Sequence, residues 1–332
     1  MRHFIFTLTF VIASFTVFAQ QEIQYTNFMF SQMSFNPGYA GSNDAICATG
    51  LVRQQWMGYQ GTDGEGGAPK TMFLSLNAAV NPILGGLGLN VISDQIGFET
   101  NTTVQLAYAF RLNLGNGKLG IGLQGGFINK RIDFSKFKPI DPNDPLLGGA
   151  GGPSALGEQN AMSFDMAFGL HYKIPDKLYV GFSMTQMQGF WGGQAAFPKD
   201  NAGNPEFKDH YFIYGGYFYE LPMAASITLN PNVLIKTDFT STQFDINVLA
   251  WYNKQIWAGV TYRATDAVAI LAGYKVLNTG TGLDGLNAGV SYDITTSAMG
   301  RNSSGTFEVF VNYCFKIEFP PTQSGHGTVR HL

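Results

Sequence analysis

Two overlapping glycine motifs are the first residues of this 332-residue chain whose spacing could serve chemistry. Gly115, Gly117 and Gly120 form one GxGxxG match, and Gly120, Gly122 and Gly125 form the other. In a dinucleotide site this motif follows a strand and opens a helix whose N-terminus holds the pyrophosphate. Here the first match reads as a hairpin turn that leads into another strand. We therefore expect these glycines to allow bending or close packing, and we expect no cofactor.

Residues that could catalyse a reaction or bind a metal are sparse. His171 and His210 lack metal-ligand spacing, and no GxSxG or HExxH motif occurs. The run 141–145 gathers oxygen ligands but lacks the spacing of an EF-hand, so turn formation is favoured over a weak calcium site. The sequence predicts no catalytic residues, no cofactor and no metal site, and therefore a protein that is not an enzyme.

The composition indicates an exterior that does not face water. Only 13% of the residues are charged, against about 25% in an ordinary soluble domain, while 14% are aromatic and 41 are glycine. A hydrophobic content of 45% and a net charge of −3 exclude a disordered chain. Lys and Arg number 20 against 23 Asp and Glu, which disfavours nucleic acid as a partner. The remaining class is an all-β protein surrounded by lipid.

Alternating segments supply the elements that would position the few polar side chains. One face of each segment is apolar or aromatic and the other is polar or small, which is typical of a transmembrane β-strand. A soluble sandwich also alternates, but it would carry more charge on its water face. We expect a single antiparallel barrel of fourteen strands, near 44–57, 70–80, 85–95, 100–112, 117–130, 162–174, 177–187, 210–221, 224–235, 242–252, 255–263, 267–276, 285–293 and 306–319.

The connections between these segments alternate in length. Most even-numbered ones are tight, whereas 58–69, 131–161, 188–209 and 294–305 are long. Outer-membrane barrels place short turns in the periplasm and long loops outside. This alternation therefore predicts the orientation of the barrel as well as its class.

The ends of the chain are expected to lie outside the barrel domain, which we place at 44–319. Residues 1–19 have the charged start, apolar run and small final residue of a secretory signal peptide, so cleavage after Ala19 is expected. Residues 20–43 are expected to form a periplasmic segment that plugs or lines the mouth. Residues 320–332 are expected to be a flexible periplasmic tail.

The first and last strands predict how the barrel closes. Opposed residues of an antiparallel ladder have a constant index sum, and Cys47 with Cys314 and Arg53 with Glu308 both sum to 361. One register thus aligns a cysteine pair and an ion pair on the lumen face, where directly opposed residues lie within disulfide range. We expect an Arg53–Glu308 pair and consider two possibilities for the cysteines, a disulfide or two free thiols.

Short blocks in a fixed order resemble the PorP/SprF family over nearly the whole mature chain. They include the sequence Asn-Pro-Gly-Tyr-Ala-Gly at 36–41, where the family usually has alanine in place of Gly38, and Arg-Gln-Gln-Trp at 53–56. The positions that carry the resemblance are Asn36, Pro37, Tyr39, Gly41, Arg53, Trp56, Asp94, Gly97, Asp133, Asp144, Tyr292, Asp293 and Glu308.

The resemblance implies an outer-membrane barrel of Bacteroidetes that assists type IX secretion, surface attachment of cargo or gliding motility. Its implied partners are outer-membrane lipids, a secreted adhesin-like cargo protein, and a periplasmic peptidoglycan-binding lipoprotein or components of the secretion-system ring. The alternative function is a porin or substrate-specific channel. A channel needs an open polar lumen, whereas inward positions such as Phe73 and Phe310 indicate a filled one.

Overall fold

The computed structural model describes residues 22–60, 67–80, 84–137, 141, 143, 157–187, 208–277, 280 and 282–315. Within them the chain forms almost entirely β-strands. The strands are β1 Ile46–Gln54, β2 Lys70–Val80, β3 Gly85–Ile96, β4 Glu99–Leu114, β5 Gly117–Asp133, β6 Glu158–Ile174, β7 Leu178–Thr185, β8 His210–Tyr217, β9 Tyr219–Leu221, β10 Ala224–Thr237, β11 Thr242–Tyr252, β12 Ile256–Arg263, β13 Ala267–Lys275, β14 Leu286–Thr295 and β15 Thr306–Phe315.

These strands form one closed antiparallel barrel, which confirms the predicted fold class. Each strand pairs with the next along the chain, except that β8 and β9 both pair with β10, and β1 pairs with β15 to close the ring. The short β9 continues β8 along β10, with a register shift between Ala224 and Thr228, so the wall contains fourteen strands. The main departure from the predicted bounds is at β5 and β6, which remain paired out to Asp133 and Glu158.

The two faces of the wall have different surroundings. On β2, Met72, Leu74 and Leu76 point outward and are 43–50% exposed, whereas Phe73 and Ser75 point inward and are buried. A barrel in a membrane has this division, because outward side chains contact lipid and inward ones pack in the lumen. None of the helices in the described part of the chain is long and apolar enough to cross a membrane.

The barrel has two distinct ends. We call the end with the connections 55–69, 134–157, 186–209 and 296–305 the long-loop rim, and the opposite end the short-turn rim. At the short-turn rim, Asn253 and Lys254 form a tight hairpin turn with φ values of 50° and 58°, as type I′ turns require. The usual arrangement of outer-membrane barrels places the short-turn rim in the periplasm.

Residues 22–45, which we call the lumen segment, fill the interior. They include two single-turn 3-10 helices, Gln32–Ser34 and Pro37–Tyr39. Phe30 stacks on Phe310 with ring centres 4.6 Å apart, and Phe35 stacks on Phe212 at 5.2 Å. The hydrophobic core of this protein is therefore the contact between the lumen segment and the inner wall.

Candidate functional site

The seam between β1 and β15 has two cross-links, one near each rim. Cys47 lies opposite Cys314 with Cα atoms 4.1 Å apart, and the two sulfurs are bonded. Arg53 lies opposite Glu308, and its Nη1 is 3.0 Å from the Glu308 Oε2. The index sum of 361 holds along the whole seam. Since the disulfide is near the short-turn rim and the ion pair near the long-loop rim, the closing strands are held at both ends.

The ion pair belongs to a larger group of buried charges, which we call the charge network: Arg53, Asp245, Arg263, Asp293 and Glu308. All five side chains are at most about 2% exposed. Arg53 Nη2 is 3.0 Å from Asp293 Oδ2, and Arg263 Nη1 is 3.2 Å from the same oxygen. Arg263 Nε also contacts Asp245 at 3.2 Å. The network thus joins β1, β11, β12, β14 and β15 near the long-loop rim.

The lumen segment adds hydrogen bonds to the carboxylates of this network. Two guanidinium groups face three carboxylates, so the five side chains carry a net charge of −1. Glu308 accepts hydrogen bonds from the backbone N–H of Thr26 at 3.0 Å and of Asn27 at 2.8 Å, and from the Asn27 side chain at 2.8 Å. The Thr26 hydroxyl also contacts the Asp293 carboxylate. A buried charge is costly without such partners, so the network fixes this part of the segment to the wall.

Close backbone packing anchors the segment near the short-turn rim. The Asn36 side chain donates to the Leu170 carbonyl at 2.9 Å and to the Tyr214 hydroxyl at 3.0 Å, and its oxygen accepts from the Gly38 N–H at 2.8 Å. A Cβ added at Gly122 would lie 2.3 Å from the Gly38 nitrogen. The glycine motif that resembles a nucleotide site therefore provides space for the lumen segment.

Gly38, the departure from the family pattern, has a local explanation. A Cβ at this position would lie 2.9 Å from both the Gly169 carbonyl oxygen and the His171 nitrogen. Alanine would therefore require the wall or the segment to shift.

The structure places the family-signature positions in separate regions. Arg53, Asp293 and Glu308 belong to the charge network. Asn36, Pro37, Tyr39 and Gly41 lie where the lumen segment is anchored near the short-turn rim, which we call the lower anchor. Four positions stabilise connections at the long-loop rim. The backbone N–H of Trp56 donates to the Thr306 hydroxyl, and Gly97 has a φ of 60°. The Asp133 carboxylate accepts from the Ser135 N–H, and the Tyr292 hydroxyl donates to the Ser304 carbonyl. Asp94 accepts a hydrogen bond from Thr71 on the inner wall. Asp144 lies outside the described residues.

Two members of the charge network, Asp245 and Arg263, and two of its hydrogen-bond partners, Thr26 and Asn27, are not predicted from the sequence. Asp245 and Arg263 are opposed across the β11–β12 hairpin with an index sum of 508, because three residues, 253–255, separate the paired ends of the strands. A two-residue connection at Asn253 and Lys254 would give 507 and oppose Asp245 to Tyr262, so the turn read from the sequence does not predict this pair. The contacts of Thr26 and Asn27 have no sequence signal either, because they depend on the path of an aperiodic segment.

The cavity beside the lumen segment near Glu22 offers little space for a small ligand, whereas a wider apolar groove of about 470 Å³ lies on the wall around Gly50. A cavity between the lumen segment and the wall, lined by Glu22, Phe35, Phe212 and Lys236 among others, has about 20 Å³, enough for about one water molecule. Among the residues that the structure covers, no group of three or more His, Cys, Asp or Glu side chains could hold a metal ion. In the 141–145 run, Asn143 donates its N–H to the Asp141 carboxylate at 2.9 Å, a turn contact.

Comparisons with known proteins fit this architecture. The family model described as type IX secretion system membrane protein PorP/SprF matches residues 17–313. No curated protein sequence matches significantly. Among solved structures, the CymD monoaromatic hydrocarbon channel has a TM-score of 0.47 and 11% identity, covering 87% of this chain and 94% of that one. The translocator domain of the autotransporter NalP from Neisseria meningitidis has a TM-score of 0.43 and 14% identity, with the same coverage. At these scores neither activity transfers to this chain.

Proposed function

The chain belongs to the PorP/SprF family of type IX secretion system membrane proteins, and from this premise we propose that it is a non-enzymatic outer-membrane barrel that acts by binding protein partners at its rims. The outer connections 131–161 and 188–209 bind a secreted, adhesin-like cargo protein. The short-turn rim and the tail 320–332 bind a periplasmic peptidoglycan-binding lipoprotein or components of the secretion-system ring. Function then lies in secretion, surface attachment or gliding motility.

The filled lumen is the observation that carries this proposal. Phe28 is 1% exposed and Asn36 is buried completely, both inside the barrel and both on the lumen segment. A solute that crosses the barrel would have to pass this segment, which is bonded to the wall near both rims. This favours the rims over the interior as the working surfaces and disfavours the porin alternative.

The closed wall supports the same proposal. The disulfide and the Arg53–Glu308 pair hold the seam, and the lumen segment packs against the inner face. Binding residues are often carried on loops that a rigid scaffold positions. A barrel filled in this way is a suitable scaffold for the long outer connections.

Export of the chain is part of the proposal. Residues 1–19 act as a secretory signal, and their removal leaves Gln20 as the first residue. They lie outside the described residues, so mass determination of the purified barrel is the direct measurement. A mass that includes residues 1–19 would contradict processing without bearing on partner binding.

Affinity purification of the tagged barrel from its own cells tests partner binding. We expect the intact barrel to retain a secreted protein and a periplasmic component. A variant with 138–156 replaced by a short Gly-Ser linker loses the secreted protein and keeps the periplasmic one. Replacement of 61–66, on the same rim, is the matched control and keeps both. Recovery of neither kind of protein with the intact barrel would contradict the proposal.

Conductance in planar bilayers separates this function from the porin alternative. The purified full-length barrel is expected to give no large steady current, because the lumen segment occupies the interior. Large steady currents from the intact protein would instead favour a channel.

A further inference from the structure

The direction in which the lumen segment crosses the barrel has a consequence for the amino-terminal end of the chain. Near the short-turn rim, the Gly41 N–H lies 3.4 Å from the Asn77 side-chain oxygen, and Lys118 Nζ lies 2.8 Å from the Asp44 carboxylate. The segment then enters β1 at Ile46. Its carboxyl end is therefore at the periplasmic side.

The other end of the segment lies at the long-loop rim. The side chain of Gln186, the first residue after β7, donates to the Glu22 carboxylate at 2.8 Å. The Gln24 side chain donates to Gln243, the second residue of β11, at 3.0 Å. Both partners lie where their strands meet long-loop-rim connections. Glu22 therefore lies at the opposite end of the barrel from Ile46.

The interior between these two ends is occupied. Thr26 and Asn27 are bonded to Glu308, the 3-10 helix Gln32–Ser34 is buried, and Asn36 is bonded to Leu170. The lumen segment itself therefore fills the interior between Glu22 and the short-turn rim, and Glu22 lies where the segment meets the long-loop rim.

We propose that the chain enters the barrel at Glu22 from the cell surface, so that the amino-terminal end left by cleavage after Ala19 is accessible from outside the cell. This inference rests on the orientation in the proposed function, with the long-loop rim outside. The expected cleavage point after Ala19 is two residues before Glu22, within about 7 Å of extended chain. The amino-terminal end is therefore available to a surface protein and not to a periplasmic one.

The sequence predicts that residues 20–43 plug or line the periplasmic mouth. In the described part of this segment, the residues around Asn36–Gly41 lie near the short-turn rim, and the preceding residues extend through the lumen to the long-loop rim. The periplasmic binding surface is accordingly limited to the short turns and the tail.

Epitope accessibility on intact cells tests the proposal. The full chain carries an epitope between Gln21 and Glu22, preceded and followed by Gly-Ser spacers of about 20 residues, whose reach is about 25 Å. A second strain carries the same cassette after Leu332, and a third carries it in place of 61–66. Each barrel is first shown to be folded by its mobility on an unheated gel.

The expected result is antibody binding on intact cells for the amino-terminal and 61–66 cassettes. The cassette after Leu332 becomes accessible only when the outer membrane is permeabilised. An amino-terminal cassette in a folded barrel that binds antibody only after permeabilisation, or not at all, would overturn the proposal. If the 61–66 cassette also requires permeabilisation, the orientation fails, and partner binding is judged separately by affinity purification.

Discussion

Removal of a charge from the charge network should have different effects depending on its sign. Glu308 is completely buried and accepts four hydrogen bonds: from Arg53, from the side chain of Asn27, and from the backbone N–H groups of Thr26 and Asn27. The Glu308→Gln variant keeps the shape and changes the net charge of the network from −1 to 0. The amide still offers one acceptor oxygen, but its NH2 group faces other donors. We expect a loss of about 1–3 kcal/mol in unfolding free energy, the cost of mispaired buried polar groups.

The Arg53→Met variant changes the net charge in the opposite direction. It leaves three buried carboxylates facing one guanidinium, so the net charge of the network becomes −2. Arg53 also donates to Thr26 and Asp293, and these contacts are lost together. Breaking a buried ion pair by removing one partner typically costs 3–5 kcal/mol, so we expect about that loss. Charge balance therefore predicts a larger loss of unfolding free energy for Arg53→Met than for Glu308→Gln.

Urea unfolding in lipid vesicles, followed by tryptophan fluorescence, measures both losses. Lys118→Met is the matched control, because the Lys118–Asp44 pair is 40–50% exposed and such pairs contribute about 0–1 kcal/mol. Each variant keeps the Cys47–Cys314 disulfide, so unfolding is measured without reductant. A Glu308→Gln loss equal to or larger than the Arg53→Met loss would refute the charge-balance reasoning. Equal effects of all three variants would show that the network does not stabilise the barrel.

The disulfide, the lumen segment and its lower anchor give three more expected outcomes. Replacing Cys47 and Cys314 by serine should lower the unfolding free energy by about 2–4 kcal/mol in a barrel that still folds, and reductant should reproduce the loss in the unmodified chain. A reductant that leaves the unfolding curve unchanged would contradict a stabilising bridge. Deleting 22–41 should produce a steady bilayer current that the full chain lacks; a folded deletion variant without current would show that this segment is not what closes the lumen. Asn36→Ala removes the donor to Leu170 and Tyr214 and should cost about 1–3 kcal/mol in urea unfolding, whereas an unchanged midpoint would rule out an anchoring role.

The positions of the strands could be predicted because each strand lies between two different surroundings. On β2 the exposed Met72, Leu74 and Leu76 alternate with the buried Phe73 and Ser75. The alternation has a period of two because outward side chains contact lipid and inward side chains pack in the lumen. A shift of the strand register by one residue would place every side chain on the wrong face. The alternation of apolar and polar residues is weaker at the ends of strands. It therefore did not predict that β5 and β6 extend to Asp133 and Glu158.

The seam and the β11–β12 hairpin show how far pairing arithmetic extends. Closure requires that the first and last strands be neighbours, and a constant index sum then relates every pair along them. Across the β11–β12 hairpin, the three residues between Tyr252 and Ile256 set a constant sum of 508, which relates Asp245 to Arg263. Pairing arithmetic cannot bring these two pairs together, because they lie on opposite sides of β13 and β14 along the chain. Their meeting depends on long side chains that cross the curved interior of the barrel.

By itself, the sequence predicted the class of barrel, the number of strands, the two rims and a seam register that opposes Cys47 to Cys314 and Arg53 to Glu308, while leaving open whether the cysteines are bonded. Each of these depends on a periodic pattern or a fixed ladder geometry that can be read along the chain. Only the tertiary structure decided the path of residues 22–45 and the assembly of the charge network. The segment has no repeat, and its route is determined by glycines on the wall that leave space for it and by carboxylates that require its backbone donors. Those requirements exist only once the wall has closed around the lumen.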